Sequence, residues 1–135
     1  VLFRSTSNTA LANITGLTRN VEASGVYSFR AVLFTTSSTA GGIKFAIAGT
    51  ATATSIVYEC LVYEGAALKA QTRASSLATA VGGITAVSAA MVTIEGTIQV
   101  NASGTLTVQF AQNASSSYVS TVLKNSYFEL ISIGA

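Results

Sequence analysis

The chain contains no His, no Asp and no Trp, has a single Cys, and is only 9% charged over its 135 residues. Each shortage excludes some chemistry. Without His or Asp there is no Ser–His–Asp arrangement, no His-based metal site and no Asp-rich calcium loop. Cys60 stands alone in VYECLVY, so no intrachain disulfide forms. With no His to activate it, it reads as a small buried hydrophobe. Ordinary soluble domains are about 25% charged. The surface is therefore expected to be rich in Ser and Thr, and to be covered in part by other subunits.

The charges that remain are dispersed. Seven basic residues run from Arg4 to Lys124 against five acidic ones, for a net charge of +2. No two basic residues lie within three positions of each other, so no stripe follows a phosphate backbone and no nucleic-acid partner is expected. The acids are Glu22, Glu59, Glu64, Glu95 and Glu129. Nothing in their spacing favours the carboxylate pair that a glycosidase needs, although a meeting in space stays open. Glu59 and Glu64 are five apart on a strand, hence on opposite faces. Gly41-Gly-Ile-Lys44 lacks the spacing of a phosphate loop and reads as a turn. Asn13-Ile-Thr, Asn101-Ala-Ser and Asn113-Ala-Ser match the glycosylation pattern, as chance matches will in so Ser- and Thr-rich a chain. No enzyme, metal or cofactor is expected.

Residues 74–94 carry no charge, but Ser, Thr and a Gly pair interrupt them, so they read as loop and strand and not as a membrane span. No basic segment followed by an apolar core opens the chain, and it begins without Met. The expectation is a chain without a visible secretory signal, either processed or cut from a longer protein.

What is present is β-strand writing. Hydrophobic residues make up 50% and mean hydropathy is +0.55, which argues against disorder. The length suits one domain, able to bury roughly 68% of its unfolded surface. Residues 1–10 are expected to be a leader or linker, and 11–135 a single domain. Strands are predicted over Leu11–Leu17, Gly25–Thr35, Ile43–Ala48, Ser55–Glu64, Leu68–Thr72, Val119–Leu123 and Tyr127–Ile133. The stretch VTIEGTIQVNASGTLTVQFAQ alternates apolar and polar residues on both sides of Asn101-Ala-Ser-Gly104, which predicts a β-hairpin. Its Val92, Ile94, Ile98 and Val100 would meet Leu106, Val108 and Phe110 of the next strand. Eight or nine strands at this spacing suggest an antiparallel sandwich or jelly roll. Alternation assigns Tyr27, Phe29, Ala31 and Leu33 to its interior, with Leu106, Val108, Phe110, Phe128 and Leu130. Four small-residue connections, Thr36–Gly41, Ala66–Ala67, Ala74–Ile84 and Asn113–Ser117, are the tips most free to vary.

Several ordered motifs go further: Tyr27-x-Phe29-Arg30-Ala31, Gly42-Ile-Lys44, Ile94-Glu-Gly-Thr-Ile98 with its Gly104-Thr-Leu turn, and Ser126-Tyr-Phe-Glu129. From about Ala10 onward the chain resembles a recurrent domain of tailed-phage virion proteins. The resemblance implies a TNF-like jelly-roll homotrimer on the phage particle, contacting other virion proteins, as a fibre tip, head fibre or decoration knob. No catalytic residues carry over. Host attachment through a receptor or glycan is one implied role; capsid decoration without a receptor is another. A fibre-borne glycan hydrolase would require paired carboxylates in a groove. In such a trimer Arg30, Val32 and Phe34, on the second face of their strand, and Glu129 would face other subunits, with Arg30 and Glu129 paired. The alternative is that both charges are solvated.

Overall fold

The computed structural model describes residues 2–134, and its regular structure is all β. Eleven strands form among the described residues: β1 (Phe3–Ser5), β2 (Ala12–Val21), β3 (Val26–Thr36), β4 (Ile43–Ala48), β5 (Thr52–Glu64), β6 (Ala67–Ala74), β7 (Val81–Ile84), β8 (Ala89–Ala102), β9 (Gly104–Ala111), β10 (Ser120–Val122) and β11 (Tyr127–Gly134). They build two antiparallel sheets packed on each other. The larger has seven strands in the order β1-β10-β3-β8-β5-β6, with β11 joined to β3 on the side opposite β8. The smaller has the order β2-β9-β4-β7. No helix of the described residues is long and apolar enough to cross a membrane.

The period of two places the core between the sheets. From the larger sheet Phe29, Ala31, Leu33, Tyr58, Cys60, Val92, Ile94, Ile98 and Phe128 point inward and are buried. They meet Ile14, Leu17, Phe45, Ile47, Leu106, Val108 and Phe110 of the smaller sheet. Tyr27 and Leu130 are half-buried at the margin of this cluster. Tyr27 sits where β3 begins, and its hydroxyl accepts a hydrogen bond from the Glu22 backbone at 3.0 Å, so its tip stays in the turn. Burial pushes the Cys60 thiol up to about 12, so it remains a neutral thiol.

The structure departs from the sequence reading at three places. The stretch read as a hairpin is not one. β8 pairs with β3 and β5, whereas β9 pairs with β2 and β4, so at Ser103 the chain turns from one sheet into the other. Its two apolar rows face each other across the core instead of lying side by side. The corner is tight, since a Cβ on Gly104 would stand 2.6 Å from the Ala51 nitrogen. Second, Phe3–Ser5, inside the expected leader, pairs with β10 at the edge of the larger sheet. The Phe3 ring stands edge-on to Phe110 with 6.0 Å between centroids, which gives this short strand its anchor. Third, Val81–Ile84, inside an expected loop, forms β7 against β4. Its Gly82 takes a positive φ directly over the Cys60 sulfur, where a Cβ would come within 2.6 Å.

Candidate functional site

The larger sheet turns one face to the core and the other outward, and the outward face gathers most of the exposed large apolar side chains of the described residues together with a row of charges. The register aligns them in rows. One row crosses five strands as Glu129, Arg30, Glu95, Glu59 and Arg73. The next reads Tyr127, Val32, Thr93, Leu61 and Gln71, and another holds Phe34, Met91, Tyr63 and Leu68. Val57, Leu68, Met91, Tyr127 and Ile131 are exposed, the last to 57%. Val32 is covered to 3% exposure by its neighbours in the same chain, and Phe34 is half-buried. Two shallow depressions flank β8 on this face, one lined by Arg30, Glu95, Glu129 and Ile131, the other by Val57, Glu59, Arg73 and Thr97.

Within the charged row each central carboxylate has its own guanidinium. Arg30 Nε donates to Glu95 Oε1 at 3.0 Å, and Arg73 Nε donates to Glu59 Oε2 at 3.0 Å. Glu59 also accepts from Gln71 Nε2 at 3.0 Å. That bond first, and the Arg73 guanidinium next, hold the Glu59 carboxyl below the usual glutamate range. Glu59 and Glu95 stand directly opposite on neighbouring strands, which repels like charges. Arg30 and Arg73 offset that repulsion from either side. Glu59 and Glu95 are thus cross-strand neighbours, each bonded to its own guanidinium.

The expected Arg30–Glu129 ion pair does not form. The two residues are cross-strand neighbours, yet the guanidinium reaches across the other side of β3 to Glu95, and Arg30 Nη1 donates to the Tyr127 hydroxyl at 3.4 Å. Arg30 and Glu95 keep 42% and 60% of their side chains exposed, so the bond is a solvated one. An exposed pair of this kind contributes about 0–1 kcal/mol. Sequence spacing could not choose between Glu95 and Glu129, because both lie beside Arg30 once β3 is a central strand.

The loops divide between two ends. At one end Ser37 bonds Ser88, Asn113 bonds Gly41 and Thr85, Ser7 bonds Ser116, and Glu64 accepts from Ser88. Three of the four variable tips, Thr36–Gly41, Ala66–Ala67 and Asn113–Ser117, lie at this end. At the opposite end Ser24 bonds Val100, Asn101 bonds Thr52, and Tyr58 donates to Ser76 and Thr79. Of the fourth tip, residues 75–80 lie at this opposite end, while β7 carries Gly83 and Ile84 back to the first end, beside Asn113 and Gly42.

No protein-family model matches the chain, and no curated protein or solved structure is found to be similar to it.

One residue that sequence reasoning missed organises the first loop end. Gln112 is fully buried. Its Nε2 donates to the Tyr118 carbonyl at 2.7 Å, and its Oε1 accepts from the Ser116 and Asn8 amides at 3.0 and 3.4 Å. These bonds hold the turn that presents Tyr118, 68% exposed. Leu at 112 keeps the volume but leaves those backbone groups unpaired, so Gln112→Leu is expected to cost about 1–3 kcal/mol. Amide exchange should accelerate across 112–119 and stay unchanged in β8. Uniform protection throughout would show that this side chain does not organise the loop.

Proposed function

We propose that the chain is a jelly-roll knob of a tailed-phage virion, a structural protein and not an enzyme. In this reading it assembles as a homotrimer through the outer face of its larger sheet and takes part in attachment to the host surface. The strand order supports the jelly-roll reading. β2-β9-β4-β7 lies against β3-β8-β5-β6, and every consecutive step from β2 to β9 crosses between the sheets except the β5–β6 hairpin. The observation that carries the assembly is the outer face itself. Exposed Val57, Leu68, Met91, Tyr127 and Ile131 stand on either side of a charged row in which Arg30 pairs with Glu95 and Arg73 with Glu59. Exposed apolar side chains gathered on one face of a folded domain mark a contact with another macromolecule, and identical copies closing a ring supply one.

Light scattering on a size-exclusion peak is expected to give three times the 13.7 kDa chain, about 41 kDa, unchanged on dilution to low micromolar concentration. A monomer at every concentration would remove the trimer.

Capsid decoration is the second reading. It is favoured because the exposed apolar side chains concentrate on a flat face, while the loops expose a single large aromatic, Tyr118, among the described residues. A cryo-EM map of the particle separates the two. Knob density at a fibre tip supports attachment, density on the shell lattice supports decoration, and absence from the particle overturns both.

A further inference from the structure

The five charges of the row that crosses the outer face are antisymmetric about β8. Outward from Glu95 through β3 and β11 they read positive then negative, Arg30 and Glu129. Through β5 and β6 they read negative then positive, Glu59 and Arg73. Such a face repels a copy of itself when like strands overlie. It attracts one when the β3–β11 half of the first copy lies on the β5–β6 half of the second. Apolar residues line both halves alike, with half-buried Phe34 on one side of β8 and half-buried Leu61 and Tyr63 on the other, so either half can cover the other and the choice of register falls to the charges. The two depressions likewise lie one in each half. The ends of the row have capacity to spare. Glu129 makes no ion pair with another described residue, and the Arg73 side chain is 72% exposed although it holds Glu59.

From this we infer that the threefold axis of the proposed trimer, on which this inference rests, runs alongside β8. The interface is heterologous: Arg30 meets the neighbouring copy's Glu59, and Glu129 meets the neighbouring copy's Arg73. Three Glu95 carboxylates then converge near the axis, each already bonded to its own Arg30. The occupant of the face is a second copy of this chain, and the charges set the register while the apolar rows supply the burial.

Charge reversal tests the assignment by sedimentation velocity, with circular dichroism confirming that each variant folds. Glu129→Arg and Arg73→Glu are each expected to raise the trimer dissociation constant about tenfold or more, and the two together in one chain to restore it to within about threefold. An equimolar mixture of the two single variants should recover only in part, because a ring of three always keeps one junction between like variants. Full recovery of the mixture would point to a two-membered ring and overturn the threefold placement. A double variant no tighter than the singles, with the wild type still trimeric, would overturn the axis and leave the trimer standing. A wild type that is monomeric removes both. Should a reversed variant fail to fold, Glu129→Gln and Arg73→Gln replace it. Their double variant should then lose less than the two single losses combined, and strict additivity would overturn the pairing.

Discussion

Phe110→Ala should destabilise the domain by about 3–5 kcal/mol. Phe110 lies on β9, between β2 and β4, and is fully buried. Its ring is 5.3 Å from Phe45, tilted by 43°, and 6.0 Å from Phe3 at 90°. Truncation therefore removes a large transfer term and both aromatic contacts together. The cavity cannot collapse cheaply, because β9 is hydrogen-bonded on both sides and its backbone cannot slide inward. The edge strand should feel the loss as well, since Phe3 packs on this ring. Denaturant unfolding at fixed chain concentration gives the measurement, with the dependence on denaturant unchanged. A loss under about 1 kcal/mol would mean that the ring is not in the core.

The second large effect is expected at Gly96, from adding a single carbon. Gly96 lies in β8 between Phe29 of β3 and Tyr58 of β5, whose ring centroids are 6.2 Å apart. A Cβ there would stand 2.2 Å from the Val57 carbonyl oxygen and 2.6 Å from the Tyr58 Cβ. The nearest atom is backbone in a paired strand, so it cannot rotate away as a side-chain tip would. Gly96→Ala should cost at least about 3 kcal/mol, the upper end of ordinary overpacking. Amide exchange should accelerate in β5 around Val57 and Tyr58. Gly65→Ala is the comparison: Gly65 has a φ of 60° in the β5–β6 turn, but nothing lies within 4 Å of its added Cβ. That change should cost only about 1–2 kcal/mol of backbone strain. Equal losses for the two would show that β5 and β8 do not approach as closely as described.

Strand existence and inward faces were legible where the period of two runs long. Ile43–Ala48 has the same bounds in sequence and structure, and Phe29, Leu33, Leu106, Val108 and Phe110 are all buried. Alternation, however, records which face of a strand is covered and says nothing about which strand lies beside it. That is why Val92–Gln112 reads equally well as an in-plane hairpin and as a corner between sheets. β1 was hidden because three residues cannot show a period, and β7 because its Gly pair has no side chains to alternate. The charged row was the least legible feature. Glu129, Arg30, Glu95, Glu59 and Arg73 are scattered along the chain, and only the register of four strand pairings brings them into line. Gln112 was hidden for a related reason: its partners at Asn8, Ser116 and Tyr118 are backbone groups, which leave no mark in side-chain pattern.

The crossing of nearly every connection from one sheet to the other also governs how the molecule comes into being. Only β5 and β6 pair with an immediate neighbour in sequence; Ala12 waits for Phe110, Val26 for Gln99, and Phe3 for Val122. Long loops must close before these ladders reward the closure, and folding slows accordingly, into the millisecond-to-second range of domains dominated by non-local pairing. On the ribosome the β5–β6 hairpin is the one element with its partner already made. β2 and β3 emerge earlier but stay unpaired until β8 and β9 follow, and β4 waits for β7. The nascent chain therefore carries apolar strands without partners through most of its synthesis, and completes its larger sheet only when the last strands are released.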